Sequence, residues 1–124
     1  MPKRFWSKLK AASSKPRPMM PTDDTFVCRI NEGWLLKFRH FHGASSHKTT
    51  QSMAFIPDPR HEWDPESEQC KWEILLKQIT PNTGEYVKRL NVLNGWVYQD
   101  CHFTKNIMHI SLVYVEKKGE ANGQ

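Results

Sequence analysis

No acidic residue occurs in the first 21 positions, although the 124-residue chain holds thirteen aspartates and glutamates. The same segment carries Lys3, Arg4, Lys8, Lys10, Lys15 and Arg17, so the formal net charge of +5 is gathered there and the remainder is close to neutral. Composition therefore gives no support to a body that is basic over its whole surface, and the charge argument is confined to the leader. Cysteine is scarce as well. Cys28, Cys70 and Cys101 are an odd number without a CxxC spacing, which argues against a disulfide framework and for a reducing compartment, cytoplasm or nucleus. No run approaches the roughly 20 apolar residues of a membrane-spanning helix. The N-terminus has charge without the apolar stretch of a secretory signal. An internal repeat, a βαβ alternation and a glycine-rich phosphate loop are all missing. Apolar residues make up only 38%, so part of this single-domain length lies outside the core.

What is there reads as β-structure. Pro2, Pro16, Pro18 and Pro21 break up residues 1–24, leaving a disordered basic arm with one short helix over Lys3 to Ala12, its Phe5, Trp6 and Leu9 on one side. A helix of that length orders only against a partner. A first strand is expected over Thr25 to Ile30, with Phe26, Cys28 and Ile30 as its apolar face. Asn31-Glu32-Gly33 turns the chain into a second strand, Trp34 to His42, whose Trp34, Leu36, Phe38, His40 and His42 share a face. Gln51 to Ile56 makes a third strand, and Pro57 to Gln69 an acidic, solvated loop around Trp63. Lys71 to Thr80 fits strand or helix; the Pro81-Asn82-Thr83-Gly84 turn before Tyr86 to Val92 favours a hairpin. Asn94-Gly95 marks a tight hairpin, and Met108 to Glu116 is the last strand. The expectation is mainly β, a small antiparallel sandwich or barrel of six or seven strands. The arm covers 1–24, the β domain 25–116 and a flexible tail 117–124.

Two groups of residues carry candidate chemistry. In the arm, Lys3, Arg4, Lys8, Lys10, Lys15 and Arg17 suit phosphates, and Phe5 and Trp6 suit stacking on unpaired bases. The same residues suit an anionic lipid surface, with the rings inserted and the lysines on the headgroups. The second group is histidine. His40 and His42 leave one face of a strand, and His47 follows in the loop, the spacing of two divalent-metal ligands with His47, His61 or a cysteine as a third. No cysteine reads as a nucleophile: Cys28 falls on an apolar face, and Cys101 and His102 point to opposite faces.

The His40-Phe41-His42 triplet resembles the His-hydrophobe-His motif of the HUH single-strand endonucleases. That resemblance implies a metal on the two histidines and a nucleophilic tyrosine, for which Tyr114-Val115-Glu116-Lys117 matches the tyrosine-x-x-lysine pattern. His109-Ile110-Ser111 is similar to the His-x-Ser/Thr motif of two-histidine phosphodiesterases, where paired histidines act as acid and base. His47-Lys48-Thr49 and His102-Phe103-Thr104 supply the letters of a second copy. Against these enzymatic alternatives, the sequence as a whole favours a non-enzymatic binding or assembly protein without an obligatory cofactor. Its basic arm attaches a self-associating β body to nucleic acid first, or to an anionic membrane, the layout of small viral matrix- and capsid-like proteins.

Overall fold

The computed structural model describes residues 5–14, 22–41, 49–104 and 107–117. These form two antiparallel four-stranded sheets with almost no helix, a small β-sandwich. The first sheet has the order β1 (Ser7–Lys8), β2 (Thr22–Ile30), β3 (Gly33–Phe41), β4 (Thr49–Pro57). The second has β5 (Trp72–Ile79), β6 (Thr83–Val92), β7 (Gly95–Thr104), β8 (Met108–Glu116). Each sheet is a meander in sequence order, so hairpins set every register. The edge strands β4 and β8 run side by side and join the sheets along one flank.

Strict alternation on β3 decides which way the first sheet faces. Trp34, Leu36 and Phe38 are buried, and a one-residue slip would turn all three to solvent. Val27 pairs with Leu36 and Thr25 with Phe38, so Thr25 and Val27 form the buried side of β2. This reverses the apolar face expected for that strand. Phe26 and Cys28 point outward, because the stronger pattern on β3 overrides the local one. Cys28 is half-buried, while Cys70 and Cys101 are buried.

Within residues 71–80, Trp72–Ile79 form a strand, as the turn chemistry suggested, with a bulge between Ile74 and Leu76. The β6–β7 turn sits one position earlier than expected, at Leu93-Asn94, and Gly95 already pairs with Val92. A Cβ on Gly95 would collide with the Tyr114 ring, so this glycine allows close packing. Gly33 has φ +151°, and a Cβ there would run into the Ile56 carbonyl oxygen.

The eighth strand comes from the leader. Ser7 pairs with Val27 and Lys8 with Phe26, and a 3₁₀ turn follows over Lys10–Ala12. No helix forms over the described part of Lys3 to Ala12. The backbone uses the free edge of β2 for its hydrogen bonds, and Leu9, 2% exposed, enters the core. Thr25 ties this segment down. Its hydroxyl donates to the Ala12 carbonyl at 2.6 Å and accepts from Trp72 Nε1 at 2.9 Å, while its backbone N–H donates to Ser13 Oγ at 2.8 Å. The chain thus joins the sandwich before the boundary drawn at residue 24, and residues 1–4 and 15–21 of the expected arm lie outside the described residues.

The core is continuous from Leu9 and Val27 through Leu36 and Ile56 to Leu90 and Val97. The loop after β4 seals one end of it. Trp63 is 8% exposed and stands edge-on to Trp34 at 5.6 Å. Asp58, 3% exposed, is the exception to the solvated acidic loop. Its carboxylate accepts from Trp34 Nε1 at 2.8 Å and from the backbone N–H groups of Glu62 and Trp63 at 3.0 Å. Burial by itself raises the Asp58 pKa; those hydrogen bonds and nearby His61 more than offset it and hold the group below its ordinary value.

Candidate nucleic-acid interface

Register places two further leader residues beside the outward side of the first sheet. Lys8, Phe26, Lys37 and Met53 form one cross-strand row, Cys28, Leu35 and Phe55 the next, and Asp24, Arg39 and Gln51 a third. Trp6 folds onto the same face: Lys37 Nζ lies 4.2 Å from its ring centroid and 5.4 Å from that of Phe26. Arg39 Cζ is 4.9 Å from the Phe26 ring. Such contacts hold the cationic heads over aromatic faces. Phe5 stands out at 80% exposure, and Met53 and Phe55 are also exposed.

Asp24 is the one carboxylate in these rows. It bridges Lys8 at 3.1 Å and Arg39 at 3.4 Å. Lys37 has no carboxylate partner among the described residues. Three cations, one acid and three aromatic side chains, Trp6, Phe26 and Phe55, therefore share this surface. The opposite face of the sandwich is the more acidic, with Glu73, Glu85 and Asp100 on its strands against Arg89 and against Lys117, which lies over Trp96 just after β8.

Of the eight arm residues singled out in the sequence, Trp6 and Lys8 belong to this surface, Phe5 is exposed ahead of β1, and Lys10 is exposed in the 3₁₀ turn. Lys3, Arg4, Lys15 and Arg17 lie outside the described residues. Sequence reasoning missed Phe26, Lys37, Arg39 and Phe55. The spacing of Lys37 and Arg39 between Leu36, Phe38 and His40 of the inner face was the available signal, since it puts both cations on the side opposite the core.

Of the histidine set His40, His42 and His47, the described residues include His40 alone. His40 is on the inner side of β3, and its Nδ1 is 2.6 Å from Asp23 Oδ1. His42 and His47 lie outside the described residues. Among the described residues no group of three His, Cys, Asp or Glu side chains is placed to hold a metal ion. Tyr114 lies in a strand against the core, near Gly95. His40 shares a cavity lining with Met108 at the start of the same strand. Six residues of strand put roughly 20 Å between Met108 and Tyr114, so the two parts of the HUH pattern fall at different ends of the sandwich.

The two-histidine pattern fares differently. His102 and His109 are direct cross-strand partners on the outer face of the second sheet, with Asp100 opposite Ser111 and Glu85 opposite His102. A hydrogen bond with Asp100, reinforced by the repulsion of the two carboxylates, holds the Glu85 carboxyl above its usual range, with His102 opposing. This row places two imidazoles and two carboxyl groups side by side. Its two acids, however, repel a phosphodiester, and Arg89 is the one basic side chain on the β5–β8 strands of that face. Burial pushes the Cys70 thiol up to about 12, and burial also raises Cys101, so neither offers a thiolate.

Comparison with protein-family models, with curated proteins and with solved structures finds no match to this chain.

Proposed function

We propose that this is a non-enzymatic binding protein that holds single-stranded nucleic acid on the outward face of its first sheet. The observation that carries the reading is the interleaving of aromatic rings with cations there: half-buried Trp6 and Phe26 and exposed Phe55 among Lys8, Lys37 and Arg39. Bases stack on rings that a rigid sheet holds in place, and the cations neutralise phosphates along the strand. The leader's remaining basic residues, Lys3, Arg4, Lys10, Lys15 and Arg17, extend the positive field by sequence proximity. Sequence-independent recognition follows from this chemistry, because every base has a stacking face and every phosphate a charge. An anionic membrane is the competing partner. Rings interleaved with cations on one sheet face favour bases and phosphates, whereas interfacial insertion segregates an apolar side from a charged one.

The test is fluorescence anisotropy with labelled single-stranded RNA and DNA, beside co-sedimentation with phosphatidylserine vesicles. Trp6→Ala and Lys37→Glu each weaken oligonucleotide binding about tenfold, the scale of one stacking or charge contact. Arg89→Glu, on the opposite face, leaves it within about twofold. Equal loss from Lys37→Glu and Arg89→Glu would remove the assignment to this face. Binding to vesicles without binding to oligonucleotides would transfer the surface to lipid.

A further inference from the structure

At the end of the sandwich away from Trp34 and Trp63, the two sheets part around a cavity of about 430 Å³. That is the size range of small-molecule sites, roughly 300–1,000 Å³. Its lining is unusual for a gap between sheets. Gln99 forms part of the lining at 1% exposure, and neither its amide nitrogen nor its amide oxygen has a hydrogen-bond partner. An orphaned buried amide is costly. Its two neighbours across the register, Lys88 on β6 and Leu112 on β8, offer it nothing.

The cations of the cavity are also short of anions. Lys88 Nζ lies 5.4 Å from the Tyr86 ring and 5.9 Å from that of Phe38, and Lys77 Nζ lies 5.8 Å from Tyr86. Neither lysine has a carboxylate within ion-pair distance among the described residues. The one acid in the lining, Asp23, is engaged by His40. Phe38, Tyr86 and Phe103 supply aromatic walls, with Tyr86 and Phe103 stacked at 6.0 Å and 25°.

We propose that this cleft binds a nucleoside monophosphate. The rings take a planar base, and Gln99 pairs with the base edge, where a donor and an acceptor lie side by side as on every nucleobase. Lys77 and Lys88 meet the phosphate dianion. A simple aromatic acid satisfies the rings and one lysine but leaves the Gln99 amide unpaired, which is why the base-bearing ligand is preferred. The site is separate from the outward face of the first sheet and stands whether or not that face binds nucleic acid.

The experiment is titration of the ¹⁵N-labelled full chain with AMP, GMP, CMP and UMP, read by NMR, with the parent nucleosides, inorganic phosphate and benzoate as separate probes. At least one nucleotide should shift the Gln99 side-chain amide and the backbone resonances of Tyr86 and Phe103. Nucleoside, phosphate or benzoate should bind at least tenfold more weakly. Gln99→Leu should lose at least tenfold in affinity and, in the unliganded protein, raise the thermal midpoint, because the orphaned amide is gone. Lys88→Met, which keeps the aliphatic stem, should lose affinity by a similar factor without the thermal gain. Lys37→Glu should change nothing. No shift with any of the four nucleotides, equal affinity for benzoate, or unimpaired binding by Gln99→Leu and Lys88→Met would overturn the proposal.

Discussion

Asp58 shows how one side chain fixes a segment that composition marks as solvated. Its neighbours Glu62, Asp64, Glu66 and Glu68 are exposed, but Asp58 holds two tryptophan-bearing segments together through Trp34 Nε1 and the Trp63 N–H. Removing the acceptor leaves two buried donors, Trp34 Nε1 and the Trp63 N–H, and the part-buried Glu62 N–H unpaired. Asp58→Ala should therefore cost about 3 kcal/mol or more in urea unfolding. The pH dependence has a definite sign. The folded-state pKa is depressed, so the carboxylate contributes stability above the unfolded value of 3.8 and loses it as pH falls through the folded value. Unfolding free energy should decline below about pH 4, and Asp58→Asn should start lower at neutral pH and decline less in acid. An equal acid slope in both proteins would mean another group carries the effect. The sequence showed the aspartate but not its burial, because a lone acid before Pro59 and among four other acids has the local pattern of a loop.

At the scale of elements, the leader behaves as an edge strand followed by a plug. Leu9→Ala removes a side chain that is 2% exposed and should cost roughly 2–5 kcal/mol. Deletion of residues 1–14 should cost more, because it also strips Thr25 of its Ser13 and Ala12 partners. Chemical denaturation checks both, and a deletion variant as stable as the full chain would show that the segment is dispensable. The strands themselves were largely legible. Alternation on β3, the Pro81 turn and the Asn94-Gly95 signal gave the antiparallel meander, with sandwich and barrel both left open. Two features were not legible from local pattern. Phe26 and Cys28 are as apolar as Val27, so only pairing with β3 decides which side is buried. Ser7 and Lys8 have no strand propensity of their own, and they are strand because the β2 edge lies free beside them. The same limit applied to the site. The sequence showed where positive charge is densest, whereas Lys37 and Arg39 join the leader's rings only through the register of three strands.

The whole molecule is asymmetric in two directions. Across the sandwich, the first sheet's outer face carries Lys8, Lys37 and Arg39 against Asp24, and the second sheet's carries Glu73, Glu85 and Asp100 against Arg89 and Lys117. A polyanion approaching this dipolar body is steered to one face. Along the strands, one end is closed by Trp34, Trp63 and Asp58, and the other opens into the cleft around Gln99. Closely packed apolar side chains and paired polar groups resist local opening, while a cavity and unpaired groups lower its cost. Protection from amide exchange should therefore fall along individual strands from the sealed end to the open one. In β7 the Val97 amide should exchange at least about tenfold more slowly than that of Phe103, and in β3 Leu36 more slowly than His40. Exchange measured by NMR on the unliganded chain tests this within single strands, where hydrogen-bonding class is held constant. A flat profile along β7 would mean that the cleft end is as firmly closed as the tryptophan end, and the cavity would then be too rigid to admit a ligand by local opening.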